Sequence, residues 1–171
     1  MRVGKVILAL SMVVLLLLVG CVGYSEPALP PANSTLPYVP SGDEPPADRT
    51  WISPGKVNVA NFYPGGRAEY PITIHNGKDT TASFLVSYRY PDHVGEGYVK
   101  PTPEAQDWVI IADSTPVLMP KETRDILVVL AIPNGAKVFA PKWEFWISVI
   151  DTTQVGTVRA ELCSRWLVSM R

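Results

Sequence analysis

Few side chains in this chain could do chemistry. They are two cysteines, Cys21 and Cys163, two histidines, His75 and His93, and a run of acids between Pro91 and Asp107. A cysteine nucleophile needs a base to take its proton, and the sequence places neither histidine beside Cys163. Zinc needs three or four nitrogen, sulfur or carboxylate ligands at close spacing, and neither histidine has another histidine or a cysteine nearby. No metal site and no cofactor are therefore expected. His75 falls at the end of a strand-like run beside a turn, where an exposed ring is expected. Asp92, His93, Glu96, Tyr98, Glu104 and Asp107 share the one long unpatterned segment, with Gly95 and Gly97 between them. Their spacing is not that of a calcium loop, so the two open readings are a solvated crossover and a recognition loop. Trp146 is the remaining candidate. If Phe145, Ile147 and Val149 face a core, then Glu144, Trp146 and Ser148 face the other way. There the indole either stacks on a sugar or protein partner or is covered by a loop or linker. Trp146, His93 and Tyr98 are accordingly the candidate binding residues. No catalytic residue is assigned, and the chain is read as non-enzymatic.

The elements that must position these residues begin after a long preamble. Arg2 and Lys5 start the chain, and Val6 to Val19 is apolar apart from Ser11. A basic start followed by a short apolar run is the pattern of a secretory signal. The run is shorter than the roughly 20 residues that a membrane-crossing helix needs. Val22 to Thr50 then carries Pro27, Pro30, Pro31, Pro37, Pro40, Pro45 and Pro46 and few large apolar residues. Such a stretch favours extended polyproline II and builds no core. At ~3.1 Å per residue it spans on the order of 90 Å when fully extended. Asn33-Ser34-Thr35 within it is a glycosylation sequon.

The apolar run ends in Leu18-Val19-Gly20-Cys21, which resembles the lipobox of prokaryotic lipoproteins. That resemblance covers the first 21 residues. It implies cleavage before Cys21, a diacylglyceryl group on its sulfur, and palmitate-class acyl chains that hold the chain on the outer side of a cell membrane. Two acyl chains suffice for stable anchoring at ~0.8 kcal/mol per buried CH₂. The implied organisation is a signal peptide at 1–20, a lipid-anchored Pro-rich linker at 21–50, and one domain at 51–171. With Cys21 acylated, Cys163 has no partner for a disulfide and is expected to be buried and inert. Removing Arg2 and Lys5 from the 15 basic residues leaves 13 against 16 acidic ones, a net charge of −3. That balance argues against nucleic acid as a partner, because phosphate neutralisation needs a basic face.

From Trp51 onward the period is two. Tyr70, Ile72 and Ile74 make one face, and Phe84, Val86 and Tyr88 a second. Ile126, Val128, Leu130 and Ile132 make a third, and Phe145, Ile147 and Val149 a fourth. Turn residues separate these runs: Tyr63-Pro64-Gly65-Gly66, Asn76-Gly77, Pro120-Lys121-Glu122, Pro133-Asn134-Gly135 and Asp151 to Gly156. Asn-Gly is a strong tight-turn signal, and 151–156 is expected to close a hairpin onto a last strand from Thr157 to about Trp166. Such short, evenly punctuated strands predict an all-β, antiparallel immunoglobulin-like sandwich of about 7–8 strands. The last strand is expected to offer an open edge to a partner strand.

The order of these signals also resembles the immunoglobulin-like domains of exported bacterial and archaeal proteins, of the major-sperm-protein-like or pilus-chaperone-like kind. The residues that carry it are Ala68-Glu69-Tyr70-Pro71-Ile72-Thr73-Ile74-His75-Asn76-Gly77, Phe84 to Tyr88, Trp108, Pro120 to Pro133, and Trp143 to Val149. The resemblance implies a fold and no active site. The function expected is a surface lipoprotein whose sandwich binds another envelope component, a protein. A carbohydrate-binding module, with Trp146 and the 91–107 loop as contacts, is the alternative.

Overall fold

A computed structural model describes residues 46–156 and 159–171. The signal peptide, Cys21, the Asn33 sequon and most of the linker lie outside the described residues. The strands in chain order are β1 (Trp51–Ser53), β2 (Lys56–Phe62), β3 (Arg67–His75) and β4 (Ala82–Arg89), then β5 (Val109–Ile111), β6 (Val117–Leu118), β7 (Thr123–Ala131), β8 (Lys142–Asp151) and β9 (Glu161–Met170). A six-residue 3₁₀ helix, Pro103–Trp108, precedes β5 inside the segment that the sequence left unpatterned.

Two sheets face each other. One has the order β1-β3-β7-β5, and the other the order β2-β9-β8-β4-β6. The alternation read from the sequence sets which side chains meet between them. Ile72, Ile74, Ile126, Val128 and Leu130 from the four-stranded sheet are buried against Phe84, Val86, Phe145, Ile147 and Val149 from the five-stranded one. Trp143 and Trp166 are fully buried. They join a run of ring contacts in which Phe145 lies 5.6 Å from Trp143 and 5.4 Å from Trp166. Trp108 meets Trp143 at 6.1 Å and Phe139 closes that end at 5.4 Å from Trp143. Rings of this size bury the most apolar area per residue and prefer these offset and edge geometries.

The expected immunoglobulin-like sandwich is present, with four differences. The described residues hold nine strands, because β1, β5 and β6 are too short to show a period. One pair is parallel: β2 runs alongside β9, with Val57 opposite Trp166 and Val59 opposite Val168. For that reason β9 is no open edge. It lies between β2 and β8, and it runs four residues past Trp166 to Met170. Finally, Asn76-Gly77 closes no hairpin. It carries the chain from β3 in one sheet to β4 in the other. Asn76 is fully buried and donates to the carbonyls of Thr80 and Met119 at 2.9 Å.

His75 is also not exposed. It lies on the outer face of β3, yet retains only 5 % of its surface. Its ring stacks on Trp51 at 5.2 Å and 16°. Nδ1 lies 2.9 Å from Thr123 Oγ1, and Nε2 lies 3.0 Å from the Ala47 carbonyl oxygen. A carbonyl only accepts, so Nε2 carries the hydrogen. The base of the linker therefore packs onto the sandwich. Arg49 N–H donates to the Pro46 carbonyl at 3.2 Å, and Gly77 N–H to Thr50 Oγ1 at 3.3 Å. Glycine at 77 leaves room for this, since a Cβ there would lie 2.2 Å from the Arg49 carbonyl carbon.

Candidate recognition face

Strand β8 is unusual in being buried on both faces. Trp143, Phe145, Ile147 and Val149 point into the core. Glu144, Trp146 and Ser148 point the other way and are buried as well. The cover is the chain between β4 and the 3₁₀ helix. Val99 runs parallel to β8 as a single bridge: its N–H donates to the Lys142 carbonyl at 3.2 Å, and its carbonyl accepts from Glu144 N–H at 3.0 Å.

A carboxylate under a loop costs several kcal/mol unless it is paired and hydrogen-bonded. Glu144 meets that demand with four donors. Arg165 Nε reaches Oε1 at 2.8 Å and Nη2 reaches Oε2 at 3.0 Å. Trp146 Nε1 donates to Oε1 at 2.6 Å, and Gly95 N–H to Oε2 at 2.7 Å. The strand register explains the meeting. Trp146 stands opposite Arg165 on β9, and Glu144 is two residues along the same face. Burial pushes the Glu144 carboxyl up. The Arg165, Trp146 and Gly95 hydrogen bonds, with the charge of Arg165, outweigh it and hold the group at about 2. A fully ionised carboxylate with four donors is a structural clamp and has no lone pair free to act as a base.

Around the clamp the loop makes further contacts. His93 sets its edge against Trp146 at 5.4 Å, and the Arg89 guanidinium lies 5.8 Å from the same ring. Arg89 also pairs with Asp92 at 2.8 Å and with Glu161. Lys100 Nζ donates to the Asp92 carbonyl at 2.8 Å. Lys142 Nζ stands 6.0 Å over the Tyr98 ring, and Tyr90 Oη donates to the Pro103 carbonyl at 3.1 Å. What remains open on this fixed loop is a mixed surface of Tyr90, His93, Glu96, Val99 and Lys100, with Tyr98 half-buried among them.

The structure thus gathers the three residues singled out from sequence, with one change. His93 and Tyr98 sit on the loop, and Trp146 lies beneath it. Trp146 is 9 % exposed, so it is no open platform for a sugar ring. The loop closes that face because Glu144 draws Gly95 onto it. Cys163 is half-buried on the same outer face, opposite Ser148, and is not the fully buried small hydrophobe expected. Its sheet neighbours are hydroxyl and charged residues, Ser148, Glu161 and Arg165. The sequence reading missed Glu144 and Arg165. The available signal was one acid inside the apolar run Trp143 to Val149. Among the described residues no three of His, Cys, Asp and Glu gather as metal ligands.

No protein-family model and no curated protein matches the chain. Solved structures do share its shape. The ASH/PapD-like domain 7 of human CEP192 superposes with a TM-score of 0.55 at 13 % identity, covering 81 % of this chain and 96 % of that one. A putative carbohydrate-binding protein from Bacteroides ovatus gives 0.54 at 14 % identity, over 71 % of this chain and 37 % of that one. The periplasmic chaperone SfaE gives 0.50 at 13 % identity, over 72 % and 58 %. Likeness at this identity establishes architecture alone: the domain is an immunoglobulin-like sandwich of the PapD-like kind.

Proposed function

We propose that this is a non-enzymatic surface lipoprotein, anchored through lipid on Cys21 to the extracytoplasmic side of a cell membrane. Its sandwich binds another envelope component, a protein, through the loop from Tyr90 to Lys100. The observation that supports this reading is the clamp. A long loop would ordinarily lose much of its binding energy to ordering. Here the Gly95 N–H bond to Glu144 and the Val99 bridge to β8 hold it before any partner arrives, and Arg165 and Trp146 fix the Glu144 carboxylate. The fixed loop then offers exposed Tyr90 and Val99 beside charged groups, the mix of aromatic anchor and polar rim that protein interfaces use. A saccharide-stacking site at Trp146 is disfavoured, because His93 and Arg89 occupy its ring. The −3 charge of the mature chain and its interspersed signs do not suit nucleic acid.

The test is retention of solubilised envelope components on immobilised chain 22–171, beside the double variant Tyr98→Ala, Val99→Asp. One protein held at stoichiometric level by the parent and lost by the variant supports the proposal. Polysaccharide held without protein, or protein held equally by both, rejects it.

A further inference from the structure

The chain holds two Asn-Gly pairs, Asn76-Gly77 and Asn134-Gly135. Such a pair carries its own chemistry. The glycine backbone nitrogen attacks the asparagine Cγ. A bond from that nitrogen to Cγ forms, the bond from Cγ to Nδ2 breaks, and the side-chain nitrogen leaves as ammonia with the glycine N–H proton. Water then opens the cyclic imide. Addition at Cγ gives aspartate, and addition at the backbone carbonyl carbon gives isoaspartate, in which the main chain runs through the β-carbon. Glycine favours the attack because it has no Cβ to crowd the nitrogen. The only co-reactant is water, but the two reacting atoms must close to about 3–3.5 Å. The fold decides which pair reaches that approach.

Asn76-Gly77 is held away from it. Asn76 is fully buried, and its Nδ2 donates to the carbonyls of Thr80 and Met119 at 2.9 Å and of Leu118 at 3.3 Å. Its Oδ1 accepts from Lys78 N–H at 3.2 Å. The attacking atom is engaged too: Gly77 N–H donates to Thr50 Oγ1 at 3.3 Å, and the Arg49 backbone packs against the glycine. Closing the imide there breaks these bonds and leaves buried carbonyls unpaired, which is costly. Asn134-Gly135 is the opposite case. It forms the middle of the turn between β7 and β8, closed by a bond from Ala136 N–H to the Pro133 carbonyl at 3.1 Å. Gly135 has φ +80°, as a type II turn demands of its third residue. The closing bond uses neither the Gly135 nitrogen nor the Asn134 amide. Both residues are exposed, and a Cβ at 135 would meet no atom within 4 Å. An exposed turn of this kind opens at low free energy, so the Asn134 side chain reaches the nitrogen without disturbing the core.

We infer that Asn134 is a site of spontaneous deamidation and isoaspartate formation in the folded protein, and that the fold protects Asn76 from the same reaction. The product adds a negative charge to the β7–β8 turn. The isoaspartate form also inserts a carbon into the main chain just after Ile132, whose carbonyl accepts from Gly65 N–H at 2.8 Å and whose N–H donates to the Gly66 carbonyl at 3.1 Å. Those two bonds are where the longer turn acts.

The test incubates the full chain at mildly alkaline pH, folded and in urea, and follows both Asn-Gly peptides by mass spectrometry with separation of aspartate from isoaspartate. In urea the two pairs are expected to convert together, since nothing local distinguishes them. In the folded chain position 134 is expected to convert to a mixture of aspartate and isoaspartate while position 76 stays an amide. Gly135→Ala, which crowds the attacking nitrogen, is expected to lose most of the conversion at 134. The inference is overturned if position 134 converts in urea but not in the folded chain, or if position 76 keeps pace with it in the fold. Aspartate without isoaspartate, or an undiminished rate in Gly135→Ala, overturns the imide route and the inference with it.

Discussion

The two outer faces of this sandwich are closed in opposite ways. Over the five-stranded sheet the chain's own loop is fastened by a single ionised group, Glu144, with donors from β8, β9 and the loop. Over the four-stranded sheet the contacts at His75 are a hydrogen bond to Ala47 at the linker base and stacking by Trp51 of β1, and the face beyond mixes Pro71 and Leu127 with Thr73 and Asp125. The difference is one of tolerance. A polar clamp under a loop works only when every member is present, since each lost donor leaves a buried charge less satisfied. Separate contacts of the second kind lose a little at a time and fail nowhere in particular. Rigid display of the loop and loose accommodation of the linker follow from those two chemistries.

The largest effect expected is at Arg165. Arg165→Ala leaves Glu144 buried without its cation, which destabilises a protein by about 3–5 kcal/mol when the pair is fully buried. Arg165 keeps 40 % of its side-chain surface, so a loss near the low end is expected in urea unfolding. The Gly95 and Tyr98 amides should lose their protection from hydrogen exchange at the same time. A cost no larger than that of an exposed substitution would show that the clamp does not hold the loop.

Acid should act on the same group. The Glu144 carboxyl titrates at about 2 in the fold, below its ordinary 4.5. A depressed folded value means that the unfolded chain binds the proton first. The contribution of Glu144 is therefore fully present above pH 4.5 and is lost as the pH falls toward 2, by roughly 2–3 kcal/mol. Asp151 adds to the same window. Burial pushes its carboxyl up, but hydrogen bonds from Lys78 and Thr153 bring it below its usual range. Comparing the acid unfolding of parent and Glu144→Gln isolates the clamp. An unchanged slope between pH 4.5 and 2 in the variant would remove Glu144 from the account.

Why these groups escaped the sequence reading is itself physical. The inward faces were legible because a strand repeats every two residues: Ile72 with Ile74, or Phe145 with Ile147, declare a shared core wherever the partner sheet lies. The parallel β2–β9 pair was not legible, since its members stand a hundred residues apart and nothing local records the pairing. The burial of His75 depends on Ala47, which composition assigned to an unstructured linker. Trp146 was rightly placed off the core face, but its ring is met by Arg89 and by His93, on the loop that Gly95 ties to Glu144. Alternation gives the face of a side chain and is silent about what lies over it.

Trp146→Phe is a finer probe of that cover. It keeps a ring between His93 and Arg89 and removes only the Nε1 donor to Glu144. Hydrogen bonds to charged groups contribute about 1.5–3 kcal/mol, and three donors remain, so a loss of about 1.5 kcal/mol is expected. The pH at which acid unfolding begins should rise with it, because the carboxylate is held less firmly. A loss without that rise would mean that Trp146 acts by packing alone.

On the other face the expected effects are smaller. Gly77→Ala places a Cβ against the Arg49 backbone, where the approach is 2.2 Å. The linker base has to shift, at about 1–2 kcal/mol, in the range of other forced overpackings. Faster exchange of the Gly77 and Asn76 amides, with the Gly95 amide unchanged, would confine the damage to this face. The smallest effect is expected at Leu127→Ser. Surface substitutions usually stay within about 0.5 kcal/mol, and Leu127 is already 38 % open.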